Sequence, residues 1–143
     1  MHDPLARLEP ARIALRVSFG LVPLLAGLDK FFYLLTDWSA YVSPLARTLL
    51  PVDPHTFLYA VGIIEIGVGL AVLTRWTVIG SYAAAAWLSL IAVNLVLAGF
   101  FDIAVRDVVL AVAAVTLARL TETRDAAAGR VEERRIEPAR RVA

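Results

Sequence analysis

WTVIGSYAAAAWLSLIAVNLVLAGFF, residues 76–101, decides the fold: it contains no charged residue. About 20 mostly apolar residues are enough for a helix to cross the hydrocarbon core of a bilayer. A helix of a soluble bundle keeps one polar face for water, and this stretch has none. It reads as a membrane span.

Working outward, residues 57–74 and 13–35 form two more long apolar stretches on the N-terminal side, and residues 101–121 form a fourth, with no charge between 108 and 118. None alternates apolar with polar at period two, which argues against barrel strands. The first stretch follows charges of both signs and is longer than a signal-peptide core, so it reads as a retained span. The links near Arg75 and Asp102 are very short, and short links make antiparallel neighbours. The expectation is an all-α integral membrane protein, an up-and-down four-helix bundle. Its segments are residues 1–12 before the spans, 13–121 for the membrane domain, and 122–143 for a charged tail.

Composition agrees. Of 143 residues, 59% are hydrophobic, against about 45–50% in soluble domains, and the mean hydropathy is +0.72. The net charge is +1, so no basic bias points to nucleic acid. The tail mixes arginines such as Arg124, Arg130 and Arg141 with acids such as Glu122, Asp125 and Glu133; it reads as a solvated tail or surface helix. There is no cysteine, which excludes disulfides, thiolate metal sites and thiol–disulfide exchange by this chain. His2 and His55 both lie outside the apolar stretches, so a haem held by two intramembrane histidines is excluded. Asp53 and His55 are too few for a metal site, and none is expected.

Lys and Arg counts set the orientation. Arg7, Arg12, Arg75, Arg119 and the tail fall on one side; the other has Arg47, with Lys30 and Arg106 near helix ends. Both termini are therefore expected in the cytoplasm of a bacterial cell, with the chain in the plasma (inner) membrane. The long first loop, with Trp38, Tyr41, Pro44, Pro51 and Pro54, faces outward. High Ala, Arg and Val usage suggests a GC-rich bacterial genome.

In this layout the intramembrane polar residues converge. At 1.5 Å rise per residue, Glu65 lies about 12 Å and Lys30 about 8 Å below the outer surface. Asn94, Asp102, Arg106 and Asp107 fall at the same level on the other two helices. Charges at this depth cost about 2.5–3.5 kcal/mol or more unless paired, and they face the bundle interior. Glu65 has Lys30 and Arg106 as candidate partners. The six residues Lys30, Glu65, Asn94, Asp102, Arg106 and Asp107 are the candidate binding cluster; a purely structural network fixing helix register is the competing reading. Gly20, Pro23, Gly27 and Lys30 share one face of the first helix, and Gly62, Glu65 and Gly69 one face of the second, as expected of packed faces in lipid. Arg16 reads as a side chain reaching the inner interface, and Trp87 as core packing.

GLDKFF at residues 27–32, GIIEIGVGLAVL at 62–73 and NLVLAGFFDIAVRDVVLA at 94–111 together resemble the DoxX-like family of small membrane proteins. The likeness covers roughly residues 11–120. It implies a four-helix membrane bundle and, in some members, subunits of quinone-linked oxidation systems or scaffolds joining redox enzymes. It implies no catalytic residue set. Three functions follow as expectations. The first is a quinone-linked accessory subunit of a membrane oxidoreductase system, with redox-enzyme partner subunits. The second is a non-catalytic anchor or scaffold. The third is a small transporter or proton path, which the lack of an internal repeat disfavours; a homo-oligomer could still form one.

Overall fold

The computed structural model describes residues 4–49 and 52–140. His2 and the rest of residues 1–3, Pro51 of the outer loop, and Arg141 with the last two residues lie outside them. The chain is mostly helical, with no strand among the described residues. The elements are α1 (Pro4–Asp29), a 3₁₀ turn (Trp38–Tyr41), α2 (Pro44–Leu49), α3 (Pro54–Leu73), α4 (Thr77–Ala98) and α5 (Phe101–Arg140). The four long helices contact one another in a ring: α1 on α3, α3 on α4, α4 on α5, and α5 back on α1.

Three helical segments, Ala6–Asp29, Pro54–Leu73 and Thr77–Ala98, are long and apolar enough to cross a membrane. The fourth expected span is helical too, but Asp102, Arg106, Asp107 and Arg119 leave it less apolar. It also does not stop at residue 121. α5 continues through the charged tail to Arg140, so the tail is a direct extension of a bundle helix rather than a separate segment.

The first helix differs from the expected 13–35 at both ends. It begins at Pro4 and closes at Asp29, although the chain stays apolar to Leu35. The Asp29 carboxylate draws the chain out of the helix by accepting from Leu34 N at 2.9 Å and from Leu35 N at 3.1 Å. Tyr33 turns through φ 55°. Hydropathy alone cannot register that turn, because Phe31 to Leu35 are apolar on either side of it.

The two glycine faces meet. A Cβ added at Gly27 would lie 2.6 Å from the Gly62 carbonyl oxygen, and one at Gly69 would lie 2.6 Å from that of Gly20. The backbones of α1 and α3 touch at both levels, as small residues permit. α5 presents Ala104, Asp107, Ala111, Ala114, Ala118 and Thr121 inward, all buried, against α4's Ala84, Ala85 and Ala92. Val72, Leu117 and Phe19 join Ala84, Ala85 and Ala114 in the core.

The polarity of this molecule is inverted relative to a water-soluble bundle. Lys30, Glu65, Ser81 and Asp107 are buried, while Val22, Ile63, Ile79 and Val109 are each more than 60% exposed. Water-soluble monomers rarely leave such continuous apolar faces outside.

The loop between α1 and α3 is capped at each turn. Asp37 accepts from Ser39 N at 3.0 Å and Ser39 Oγ at 2.6 Å. Ser43 Oγ accepts from Ala46 N at the start of α2. Asp53 accepts from His55 N and Thr56 N at the start of α3, with Pro54 at the first helical position, where its missing N–H costs nothing.

At the opposite end, Arg16 is committed to the end of α3. Its guanidinium donates to Val72 O (3.1 Å), Leu73 O (2.7 Å) and Thr74 O (2.8 Å). These carbonyls end α3 and have no helical partner, so a cation there is doubly favourable.

Candidate functional site

The site grows from the sharp end of α1. Its last turn delivers two consecutive side chains to different tasks. Asp29 turns to the loop, and Lys30 turns across the Gly27–Gly62 contact to α3. There Lys30 Nζ donates to Glu65 Oε2 at 2.5 Å, with both side chains less than a tenth exposed. The glycines let the two backbones come close enough for this short reach.

Trp38 closes the outer side. Its ring face lies 3.8 Å from Lys30 Nζ, a cation–π distance. Its Nε1–H donates to Asp29 Oδ2 at 2.8 Å. Asp29 and Trp38 are therefore site-forming residues that the sequence reading passed over. The available signal was the Asp beside Lys30 at an apolar helix end, where a lone carboxylate needs several donors.

The other four expected members divide. Asp107 is buried on α5, close enough to Glu65 for their charges to interact. Its cation is Arg106, 3.8 Å away, whose own side chain is 68% exposed. Arg106 thus points outward and is not the partner of Glu65. Asp102 is exposed at the start of α5 and stands apart from the ion pair. Asn94 is committed elsewhere: its Oδ1 accepts from Ser43 N at 3.0 Å and its Nδ2 donates to Tyr41 O at 2.7 Å. It buttons the outer loop onto α4. The polar cluster read as six residues is two structures: Lys30, Glu65 and Asp107 inside, and Asn94 as a loop fastening above.

Trp87, on α4, also belongs to the interior group. Its Nε1–H is buried and lies close to the Glu65 carboxylate. Asp53 and His55 stay in the outer loop, where His55 Nδ1 lies 2.9 Å from Tyr33 Oη. Among the described residues, no cluster of three or more His, Asp or Glu side chains is arranged to hold a metal ion.

The arrangement can stabilise a charge pair in an apolar interior, with the Trp87 indole N–H beside it. Comparison with protein-family models, curated proteins and solved structures returns no match for this chain.

Proposed function

We propose that this chain is an integral membrane protein of the DoxX-like kind. Its four long helices cross the bilayer as an up-and-down bundle with both termini cytoplasmic. It serves as a quinone-linked accessory subunit of a membrane oxidoreductase system, with redox-enzyme subunits as partners. The membrane part of the reading rests on the inverted polarity and the three long apolar helices. The observation that carries the functional part is the Lys30–Glu65 pair. A desolvated ion pair is often no more stabilising than apolar packing of the same volume, so its presence between apolar helices favours a working role. Beside it, Asp107 and Trp87 offer groups that can take or give a hydrogen bond to a quinone head group.

The deciding experiment is purification from native membranes in mild detergent, with mass spectrometry of bound lipids and co-purifying proteins. Stoichiometric quinone and a dehydrogenase-type partner support the reading. A Glu65→Gln variant that folds normally and keeps full quinone-dependent activity would sink it.

One observation favours a second reading, a non-catalytic anchor. Past Arg124, which pairs with Glu9 of α1, α5 runs on as a helix with Asp125, Arg130 and Glu133 exposed, a surface suited to holding a partner protein. Partners retained without quinone, and lost on deleting residues 123–143, would favour it.

A further inference from the structure

Thr74, Arg75 and Trp76 alone join α3 to α4. Both helices are long and apolar enough to cross a membrane, so a link this short lies at a bilayer surface. The turn carries a groove of about 260 Å³ lined by Arg75, Trp76, Val78 and Ile79. Among the described residues, no acceptor is bonded to the Arg75 guanidinium; its neighbour is the Trp76 ring, 5.8 Å away. Glu9 and Glu122, acids of this end, are paired with Arg12, Arg124 and Arg119. The carbonyls that close α3 are taken by Arg16. The turn therefore presents positive charge at the membrane surface.

The groove wall narrows the chemistry of the counter-ion. Val78 and Ile79 open the apolar span of α4, and Ile79 is 62% exposed. A free inorganic anion would use the cation and leave this wall idle. An acidic peptide would have to reach below the surface to meet it. A phospholipid uses both, with its phosphate at the guanidinium, a charge-assisted contact, and its acyl chain along Ile79. Trp76 is 52% exposed, and such a ring settles at the headgroup level. A zwitterionic headgroup brings a cation of its own, which Arg75 and Arg16 repel. A net negative headgroup meets no such objection.

We infer that the α3–α4 turn is a binding site for an anionic phospholipid, with Arg75 on the headgroup phosphate and Ile79 against the acyl chain. This goes beyond the quinone-linked reading and rests only on its membrane part.

The test uses the full chain in phosphatidylcholine nanodiscs with graded phosphatidylglycerol. Retained lipids are read by native mass spectrometry, and tryptophan quenching is read with brominated lipids. The expected result is preferential retention of phosphatidylglycerol, weakened roughly fivefold by Arg75→Gln, the worth of one arginine near an anionic surface. Arg130→Gln, on the far stretch of α5, should leave retention unchanged, and millimolar inorganic phosphate should not displace the lipid. Brominated phosphatidylglycerol should quench wild type more than brominated phosphatidylcholine does, and Trp76→Phe should lose that difference. Equal retention of the two lipids, equal loss in the two arginine variants, or displacement by inorganic phosphate overturns this inference and leaves the membrane reading standing. A chain that does not enter the nanodiscs overturns both. Quenching of wild type against Trp76→Phe decides the matter even if Arg75→Gln fails to fold.

Discussion

Lys30 and Trp38 are locked face to charge, with the ammonium nitrogen 3.8 Å from the ring centre. The same ring's N–H is tied to Asp29, the neighbour of Lys30 in sequence. One aromatic residue thus joins the outer loop to the buried ion pair and seals the pair from that side. The stability of the interior and the order of the loop are coupled through this contact.

Removing one partner of the ion pair leaves the other charged and desolvated. Lys30→Met is expected to lower unfolding free energy by about 3–5 kcal/mol, measured by denaturant titration in detergent. The double variant Lys30→Met/Glu65→Met is expected to recover to wild-type stability or above. A double variant no better than the single would show that the pair is not the source of the loss.

The α1–α3 contact has no room for a side chain. Gly27→Val, whose Cβ would meet the Gly62 carbonyl, is expected to cost about 1–3 kcal/mol or more. Gly67 on the same helix as Gly62 has open space around it. Gly67→Ala is expected to be neutral or to gain up to about 1 kcal/mol from helix propensity. Thermal unfolding of the two variants side by side separates crowding from propensity.

Asn94 holds the loop by two bonds to its backbone. Asn94→Ala is expected to cost about 1–3 kcal/mol and to speed protease cleavage between residues 30 and 53, while the helices remain protected. Unchanged cleavage would show that Trp38 and Asp29 suffice to keep the loop seated.

Two hydrogen bonds from Ser39 hold the Asp37 carboxyl below the usual carboxylate range. A group with a lowered folded pKa stabilises above its unfolded value, near 3.9, and loses that contribution as pH falls through the folded value. Acidification below about pH 4 should therefore loosen the Trp38–Tyr41 turn and shift tryptophan fluorescence. Asp37→Asn keeps the acceptor but cannot titrate, and should remove the shift. A shift of equal size in Asp37→Asn would assign it to another group.

How much of this was legible beforehand follows from what periodicity can carry. Gly20, Gly27, Gly62, Gly69, Lys30 and Glu65 lie on regular helices, where spacing alone fixes which residues share a face. That reading found both the α1–α3 contact and the ion pair. Asn94, Asp102 and Arg106 were assigned to the interior by depth, and depth says nothing about azimuth. Asn94 was claimed by a loop that folds back over α4, a long-range contact with no local signal. Arg106 and Asp107 are adjacent, so a helix turns them about 100° apart; one faces in and the other out. The end of α1 was missed because a side-chain cap, not a change in hydropathy, stops the helix. Arg16 donates to three acceptors at the far end of another helix, a contact that spacing along its own helix does not register.

α5 spans 40 residues without a break, about 60 Å at 1.5 Å per residue. α1 and α4 hold it as far as Glu122 and Arg124, which meet Tyr82 of α4 and Glu9 of α1, and the helix runs on beyond them as a stiff lever arm. A tilt of about 5° in the held part would carry the far end through roughly 2–3 Å, given that rise per residue. A displacement near the start of the helix, where Asp107 sits, is thereby transmitted along one rod to the charged extremity without any intervening hinge.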